Sequence, residues 1–582
     1  MFRVKSDGVK MGIDQIRIPC RNGLNFLENT QIHFDITRDV GFADLKNAFI
    51  ESEINLNGSA NAPCAQIYRN VGASAIINRL VIRSQGRLLE EMNDYNLYAN
   101  LKYLASEDEG ILNKRSRLEG CAKSYRIAQN PWVTQNGVNE GTAFTDVNDT
   151  WRYVDRKVQI PLNCSGVFNK DQAHPCLAVP LEVSLLLERN ARCMLVNPED
   201  VVFELADYVT AAPTATLELS NATVAKYGVQ NAAAQYPTDD HINVVSNLPL
   251  RVGQRVLLKA AGGGAGTLVN GGKCNITRIE LSAGGKVEIR FGNADGTDVN
   301  IIDNAKAGLS LQVLNDDGTL FNDTATAGGI TVTPQSLNYN VKNPRLVVPK
   351  VIPSPEYTSA ISTAIAKGKY AMDIYSWVNY KQAIPGAVSN SATIIPADLS
   401  RAKSILSVPV EQASLDAFNL LNNIQGKYLS ATQYEYQINN KLLPDRPVPL
   451  SREINGQFDV GAVTEDGVTV NYISQPDNAG GSVLGGLHTY EVEKALMDAG
   501  IDVKNLNFLG KTQNTGATGL QDGYWLVGRS TGPYGTSQNL MGISTNLYLD
   551  YVDGTGPLKL LNNFVVHVRT IQLTPEGVML RY

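Results

Sequence analysis

Residues 78–91 read NRLVIRSQGRLLEE, two apolar-bearing runs joined through Ser84, Gln85 and Gly86. That is a β-hairpin, because the glycine supplies the positive φ that such a tight turn needs. Asp94 follows, placed to cap a helix that carries Leu97, Tyr98, Leu101 and Leu104 on one side. Upstream, Ile32, Phe34 and Ile36 alternate with Gln31, His33, Asp35 and Thr37, and Ile50, Ile54 and Leu56 oppose Glu51, Glu53 and Asn55. A period of two is that of a sheet with one wet face. Downstream, residues 106–154 read as mostly irregular. Strands resume at Val158, Ile160 and Leu162 and at Leu181, Val183, Leu185 and Leu187.

Strand character resumes at residue 345, and the same order recurs from Met372. Arg345–Ile352 is strand-like. Ser354-Pro355-Glu356 then opens a helix with a capping residue and a proline where both are favoured, and Gly368 is able to end it. Strands at Met372–Tyr380 and Ser404–Val410 lead to a second hairpin, Gln433–Ile438 turning on Asn439-Asn440 into Lys441–Leu443. Thr489 is placed to cap a helix bearing Val492, Leu496 and Ala499. Strands return at Tyr524–Val527, Leu547–Val552, Phe564–Leu573 and Val578–Tyr582. In the long strand Phe564, Val566 and Val568 alternate with Val565, His567 and Arg569, which puts His567, like His33, on a wet face. The repeat is one of pattern, since residue identity is barely retained.

Between the halves, residues 212–334 shift towards Ala, Gly, Asn, Asp and Thr, with short strands at Arg255–Lys259, Asn275–Leu281, Lys286–Phe291 and Leu309–Leu314 and a hairpin at Ala283-Gly284-Gly285. This stretch reads as a small β-barrel or sandwich inserted into the first domain. The expected division is an arm at 1–23, a first domain at 24–211 completed by 335–385, the inserted module at 212–334, and a second domain at 386–582.

The chain has 582 residues, 43% hydrophobic and 19% charged, enough apolar material for two to four cored domains. Its 50 glycines and 25 prolines punctuate the whole length, an all-β bias. The formal net charge of -6 and the lack of basic runs give no footprint for sequence-wide nucleic-acid binding. No apolar run approaches the roughly 20 residues that span a bilayer, and the charged first residues lack a signal-peptide core. A soluble protein outside the standard secretory route is expected. Seven cysteines (Cys20, Cys64, Cys121, Cys164, Cys176, Cys193 and Cys274) are odd in number, contain no CxxC pair and stop at Cys274, which reads as reduced thiols in a reducing compartment.

No catalytic, metal or cofactor constellation survives inspection. His174-Pro175-Cys176 lacks further ligands at zinc-like spacing. Asp239-Asp240-His241 puts two carboxylates beside an imidazole, but neighbours in sequence seldom point at one ion, so it reads as a polar turn. Asp295-Gly296-Thr297-Asp298 and Asn315-Asp316-Asp317-Gly318 lack the closing glutamate of a calcium loop. In Gly262–Gly266 with Gly271-Gly272-Lys273, Thr267 breaks the phosphate-loop spacing and Cys274 stands where a magnesium-holding hydroxyl belongs. Lys114-Arg115-Ser116-Arg117, the densest basic cluster, reads as a solvated loop. Tyrosine is frequent at 24 residues and suits interfaces. Tyr95, Tyr98, Tyr103, Tyr434 and Tyr436 are the candidates for subunit contacts, with core packing the competing role.

Gly72-Ala73 through Ile76, Leu80, Ile82 and Arg83, followed by Leu88, Glu90 and Asp94-Tyr95-Asn96, resembles the first barrel of double jelly-roll major capsid proteins. Asn343-Pro344-Arg345-Leu346, Pro355-Glu356-Tyr357, Tyr434–Gln437 with Leu443-Pro444, and Leu547–Tyr582 are similar to segments of virophage and polinton-like virus capsid proteins. Residues 212–334 carry no such likeness. The resemblance implies an all-β fold of two jelly-roll barrels in one chain, with the small inserted β-domain and a few short helices. It also implies a non-enzymatic protein of the virion that forms pseudo-hexameric homotrimers. These tile an icosahedral shell around double-stranded DNA, with neighbouring trimers and penton and minor capsid proteins as partners. The competing functions are a β-rich receptor- or glycan-binding fibre or decoration protein, which predicts one compact module on a repetitive shaft, and a hydrolase, which needs paired carboxylates at a cleft.

Overall fold

The computed structural model describes residues 10–57, 65–68, 71–106, 108–121, 131–135, 151–196, 202–221, 223–224, 248, 250, 252–260, 265–281, 286–293, 295–314, 325–326, 329–330, 338–386, 388–411, 424, 426, 431–449, 453–454, 457–458, 463–465, 468–470, 486–504, 506, 526–532, 536–551, 559–574 and 577–581. Eight principal strands build a first sandwich: β1 (Lys10–Pro19), β2 (Gln31–Ile36), β3 (Phe49–Asn57), β4 (Ile77–Ser84), β5 (Arg87–Asn93), β6 (Arg156–Pro161), β7 (Leu181–Leu187) and, after an insertion, the strand Asn338–Pro353. Between β5 and β6 lie the helices α1 (Tyr95–Ser106) and α2 (Glu109–Glu119).

The insertion contributes β8 (Val202–Glu204), β9 (Thr216–Glu218), β10 (Arg255–Ala260), β11 (Lys273–Leu281), β12 (Val287–Gly292) and β13 (Leu309–Val313), so that the eighth strand of the first sandwich is β14 (Asn338–Pro353). Helix α3 (Pro355–Ala366) leads out of it, with the Ser354 hydroxyl accepting from the Tyr357 amide as an N-cap. The second sandwich comprises β15 (Tyr370–Ile384), β16 (Asn390–Ile394), β17 (Ala402–Glu411), β18 (Ala431–Ile438), β19 (Lys441–Pro449), β20 (Val527–Ser530), β21 (Thr545–Tyr551) and β22 (Lys559–Thr574). Helix α4 (Gly486–Asp498) lies between β19 and β20, and β23 (Gly577–Arg581) pairs back onto β22.

Counted from one to eight within each sandwich, the strands follow one plan. In the first, β1-β14-β3-β6 form one sheet and β2-β7-β4-β5 the other. In the second, β15-β22-β17-β20 and β16-β21-β18-β19 do the same. Both read 1-8-3-6 and 2-7-4-5, all antiparallel, which is the wiring of a jelly roll. The fold is therefore all-β, a double jelly roll. In β2 the even residues Ile32, Phe34 and Ile36 are buried and meet Leu181, Val183 and Leu185 of β7 across the ladder. This alternation is what the sequence pattern required.

Both hairpins turn where the sequence places them. Gln85 and Gly86 have φ of 50° and 77°, and Asn439 and Asn440 have φ of 52° and 59°. These are the left-handed conformations that glycine and asparagine tolerate.

Several expectations change. Residues 106–154 are not simply irregular, because Glu109–Glu119 is a helix capped by the Asp108 side chain. Thr489 lies inside α4, which begins at Gly486, rather than capping it. Tyr370–Ile384, assigned from sequence to the end of the first domain, pairs along its whole length with Lys559–Thr574 and is the first strand of the second sandwich. Lys10–Pro19, expected to be an arm, pairs with Arg345–Pro353 as a full strand. The insertion is a six-stranded antiparallel sheet in the order β8-β13-β10-β11-β12-β9 whose two outer strands meet through the Leu205–Leu219 bridge and so close into a small barrel, as expected, but it begins earlier, at Val202, because Val202–Glu204 pairs with Ser310–Gln312.

Replacing Asn440 with valine forces a β-branched residue into the left-handed region. It is expected to cost about 1–2 kcal/mol of unfolding free energy, whereas Asn440→Gly should leave it unchanged or slightly raised; urea titration of both variants measures the difference.

Candidate functional site: the seam between the two sandwiches

The second sandwich's β15-β22-β17-β20 sheet is covered on both faces. Ile405, Val565 and Leu561 belong to the interior of that sandwich, while Leu406, Val408, Phe564 and Val566 join a core shared with the first half. This explains why β22 is buried almost without alternation and why His567, expected on a wet face, is buried. A period-two pattern reports one wet face only where the other layer is absent.

The seam centres on three rings. Tyr98 of α1 stacks on Trp377 of β15 with centroids 4.4 Å apart and planes 20° apart. Phe564 of β22 meets Tyr98 edge-on at 5.4 Å and Trp377 at 5.2 Å. Offset stacking and edge-to-face contacts are the favoured arrangements of aromatic quadrupoles. The Trp377 indole N–H donates to the Cys164 carbonyl at 3.1 Å, so the ring is oriented as well as buried.

Polar ties flank the rings. Asp94, which was expected to cap α1, holds φ at 58°, and its side chain is turned to other work. It accepts from Arg192 at 2.8 Å in the first sandwich, and from Lys381 at 2.7 Å and Asn379 at 2.8 Å in the second. Burial alone would raise its carboxyl, but Arg192 and Lys381 overcome this and hold it below the usual range. Glu90 of β5 accepts from the Ser165 hydroxyl at 2.5 Å and from the Gly166 and Val167 amides at 3.0 Å each. Burial nevertheless raises its carboxyl, with Ser165, Val167, Ser376 and Arg569 opposing the rise. Arg569 of β22 donates to the Leu89 carbonyl, and Asn100 of α1 to the Ile424 carbonyl at 2.8 Å. At Gly166 a Cβ would lie 2.1 Å from the Tyr375 carbonyl oxygen, so the two backbones touch where any side chain would part them.

The five candidate tyrosines are all buried inside their own chain. Tyr98 does make an interdomain contact, but within one protomer. Tyr95 accepts from the Cys164 amide at 3.4 Å, and Tyr103 donates to Asn163 at 3.1 Å beneath the Arg115 guanidinium. Tyr434 and Tyr436 meet edge-on at 6.0 Å inside the second sandwich, where the Tyr436 hydroxyl bonds Ser407 at 2.9 Å. Their alternation matched a strand, but its apolar side faces the core. The Lys114–Arg117 cluster lies on α2 rather than in a loop, and Arg115 is buried against Glu119 at 2.9 Å.

His174 is buried, donating through Nε2 to the Val179 carbonyl at 2.8 Å and accepting at Nδ1 from Lys170 at 2.8 Å. Burial pushes Lys170 down to about 7 and the imidazole well below its ordinary range. His33 pairs with Ser184 at 2.8 Å on the half-buried side of β2. Asp295 accepts from the Thr297 amide at 3.0 Å, closing a local turn. Gly271 and Gly272 form a left-handed turn at the end of a short 3-10 helix. Asp239-Asp240-His241, Asn315–Gly318, Gly262–Gly264, Ala283–Gly285 and Cys64 lie outside the described residues. Among the described residues no group of three His, Cys, Asp or Glu could hold a metal, and no helix is long and apolar enough to cross a membrane.

The repeated strand order and the seam together define a double jelly-roll protein whose two barrels are locked side by side. No protein-family model matches the chain, and no curated protein does. Solved structures do align with it at full length. The PBCV-1 virus capsid model shows 8% identity over 100% of this chain and 99% of that chain, with a TM-score of 0.43. The Faustovirus major capsid protein shows 9% over 99% and 92%, also at 0.43. The mavirus major capsid protein shows 9% over 99% and 93%, at 0.36. With scores this low, the jelly-roll assignment rests on the strand order described above.

Trp377→Ala should cost about 3–5 kcal/mol in urea unfolding, because it empties the centre of the seam and frees the Cys164 carbonyl. Acid should also weaken the protein. An unfolded imidazole takes up its proton near pH 6.5, whereas burial and the Arg569 charge hold His567 down at about 4. Its contribution is therefore complete above pH 6.5 and is lost as the pH falls towards 4, by up to about 3 kcal/mol. His567→Leu should flatten that part of the stability–pH curve.

Proposed function

We propose that this chain is a major capsid protein that works by assembly rather than catalysis. The observation that carries the reading is the seam: two sandwiches of identical wiring held in one orientation by Tyr98, Trp377, Phe564 and the Asp94 ties. A tile built from three such chains presents six similar sandwiches, which suits hexagonal packing. In this reading the homotrimers are pseudo-hexameric and tile an icosahedral shell around a double-stranded DNA genome. Penton and minor capsid proteins close the shell, and the chain resides in the virion.

We divide the chain accordingly into a first jelly roll from 10–187 with 338–353, an inserted sheet from 202–314, a linking helix at 355–366 and a second jelly roll from 370–581. The inserted sheet leaves between the seventh and eighth strands, so it extends from one end of the first barrel without interrupting either of its sheets.

Negative-stain or cryo-electron microscopy of the purified full chain tests the proposal. Particles of hexagonal outline with a mass of about 189 kDa, three times 63.1 kDa, are expected, alone or in sheets and shells. A monomer at every concentration would overturn it.

A further inference from the structure

The second sandwich carries a cleft at the end where its fourth and fifth strands turn. It encloses about 560 Å³ between the β18–β19 hairpin, helix α4, the end of β20 and residues 536–539, the volume of a small-molecule site. Backbone fixes its walls. At Gly532 a Cβ would collide with the Thr536 carbonyl oxygen, so the chain after β20 doubles back on itself. Gln538 then exchanges both backbone hydrogen bonds with Ala402 of β17, at 2.8 and 2.9 Å.

The lining is one-sided in charge. Lys441, Lys494 and Arg529 contribute to it and no carboxylate does, although acidic residues outnumber basic ones in the chain by 57 to 51. Arg529 donates to Glu491 of α4 and so adds a fixed, neutral pair. The Ser530 and Thr531 hydroxyls are engaged as well, by Asp498 and by the Ala402 carbonyl. The two lysines differ from these. Neither has a carboxylate partner among the described residues, and Lys494 is half-buried while Lys441 is exposed. The side chains of Asn439, Ser537 and Gln538 line the same cleft with neutral donors. Two ammonium groups among neutral donors, without a carboxylate, are the chemistry that receives an oxyanion.

The internal repeat shows what is distinctive here. Arg87 is the first residue of the fifth strand in the first half, directly after the Gln85-Gly86 turn, and it donates to the Val578 carbonyl of β23. Gln85 beside it donates to the Ala178 carbonyl at 3.2 Å. The chain thus fills that end of the first sandwich itself. Lys441 holds the same position after the Asn439-Asn440 turn, and there the cleft stands open.

We propose that this cleft binds a small phosphorylated molecule, with Lys441 and Lys494 neutralising its phosphate oxygens and Asn439, Ser537 and Gln538 donating to them. The site lies within one protomer, so the inference stands or falls apart from the capsid reading.

Isothermal titration calorimetry of the full chain with pyrophosphate, adenosine triphosphate and adenosine tests it. Pyrophosphate and the triphosphate should each saturate at one per chain, and adenosine should give no binding. Similar affinities for the first two assign recognition to the phosphates alone, and a clearly tighter triphosphate adds the nucleoside. Lys441→Gln with Lys494→Gln should weaken binding by at least about tenfold, and Lys441→Gln alone by less. The control, Lys259→Gln with Lys273→Gln, removes the same charge from exposed positions of the inserted sheet and should leave the affinity unchanged. Thermal unfolding of each variant confirms that it is folded. The proposal is overturned by an absence of saturable binding at millimolar pyrophosphate and triphosphate, by unchanged affinity in the lysine variants, or by an equal loss in the control. Binding of a DNA duplex without binding of pyrophosphate would overturn it in favour of a nucleic-acid contact.

Discussion

The ring of Tyr98 between Trp377 and Phe564 is the contact on which the rest of the molecule depends. Each sandwich could close its own core without it, since the two sheets of either half face one another across buried Ile, Leu and Val. What the rings add is relative orientation. Stacked and edge-on aromatics have directional preferences that aliphatic packing lacks, and the indole bond to Cys164 fixes the rotation that stacking alone would leave free. In the proposed capsid reading, a subunit that tiles needs that fixed angle more than it needs extra stability.

The polar groups of the seam reinforce the same point. Asp94 is satisfied by groups from both halves at once, so separating the sandwiches would strand a buried carboxylate. Such networks are costly to break and contribute less net stability than their number suggests. Their effect is to make one arrangement far better than its neighbours. Gly166 acts by subtraction, removing the side chain that would hold the two backbones apart.

Most of the fold was legible because its elements are local. The hairpins at Ser84–Arg87 and Ile438–Lys441, the Ser354 cap and the alternation in Gln31–Ile36 are set by nearest neighbours and turn chemistry, and the chain obeys them. The order of elements repeats because each half solves the same wiring problem. The boundary near residue 385 could not be read in this way. Tyr370–Ile384 is an ordinary strand by pattern, and only its partner nearly 200 residues later assigns it to the second sandwich. The beginning of the inserted sheet at Val202 depends likewise on a partner about 100 residues on.

The sequence by itself determined the strands, their turns, the repeated order and thereby the class of fold, because period, turn residues and caps act within a few residues. Only the tertiary structure decided which faces stay wet. His567 reads as exposed until a second layer covers β22, Tyr98 reads as a subunit contact until its partner proves to be the same chain, and Asp94 reads as a cap until two cations claim it. Burial is a property of what lies across the sheet, and that is set by pairings hundreds of residues apart.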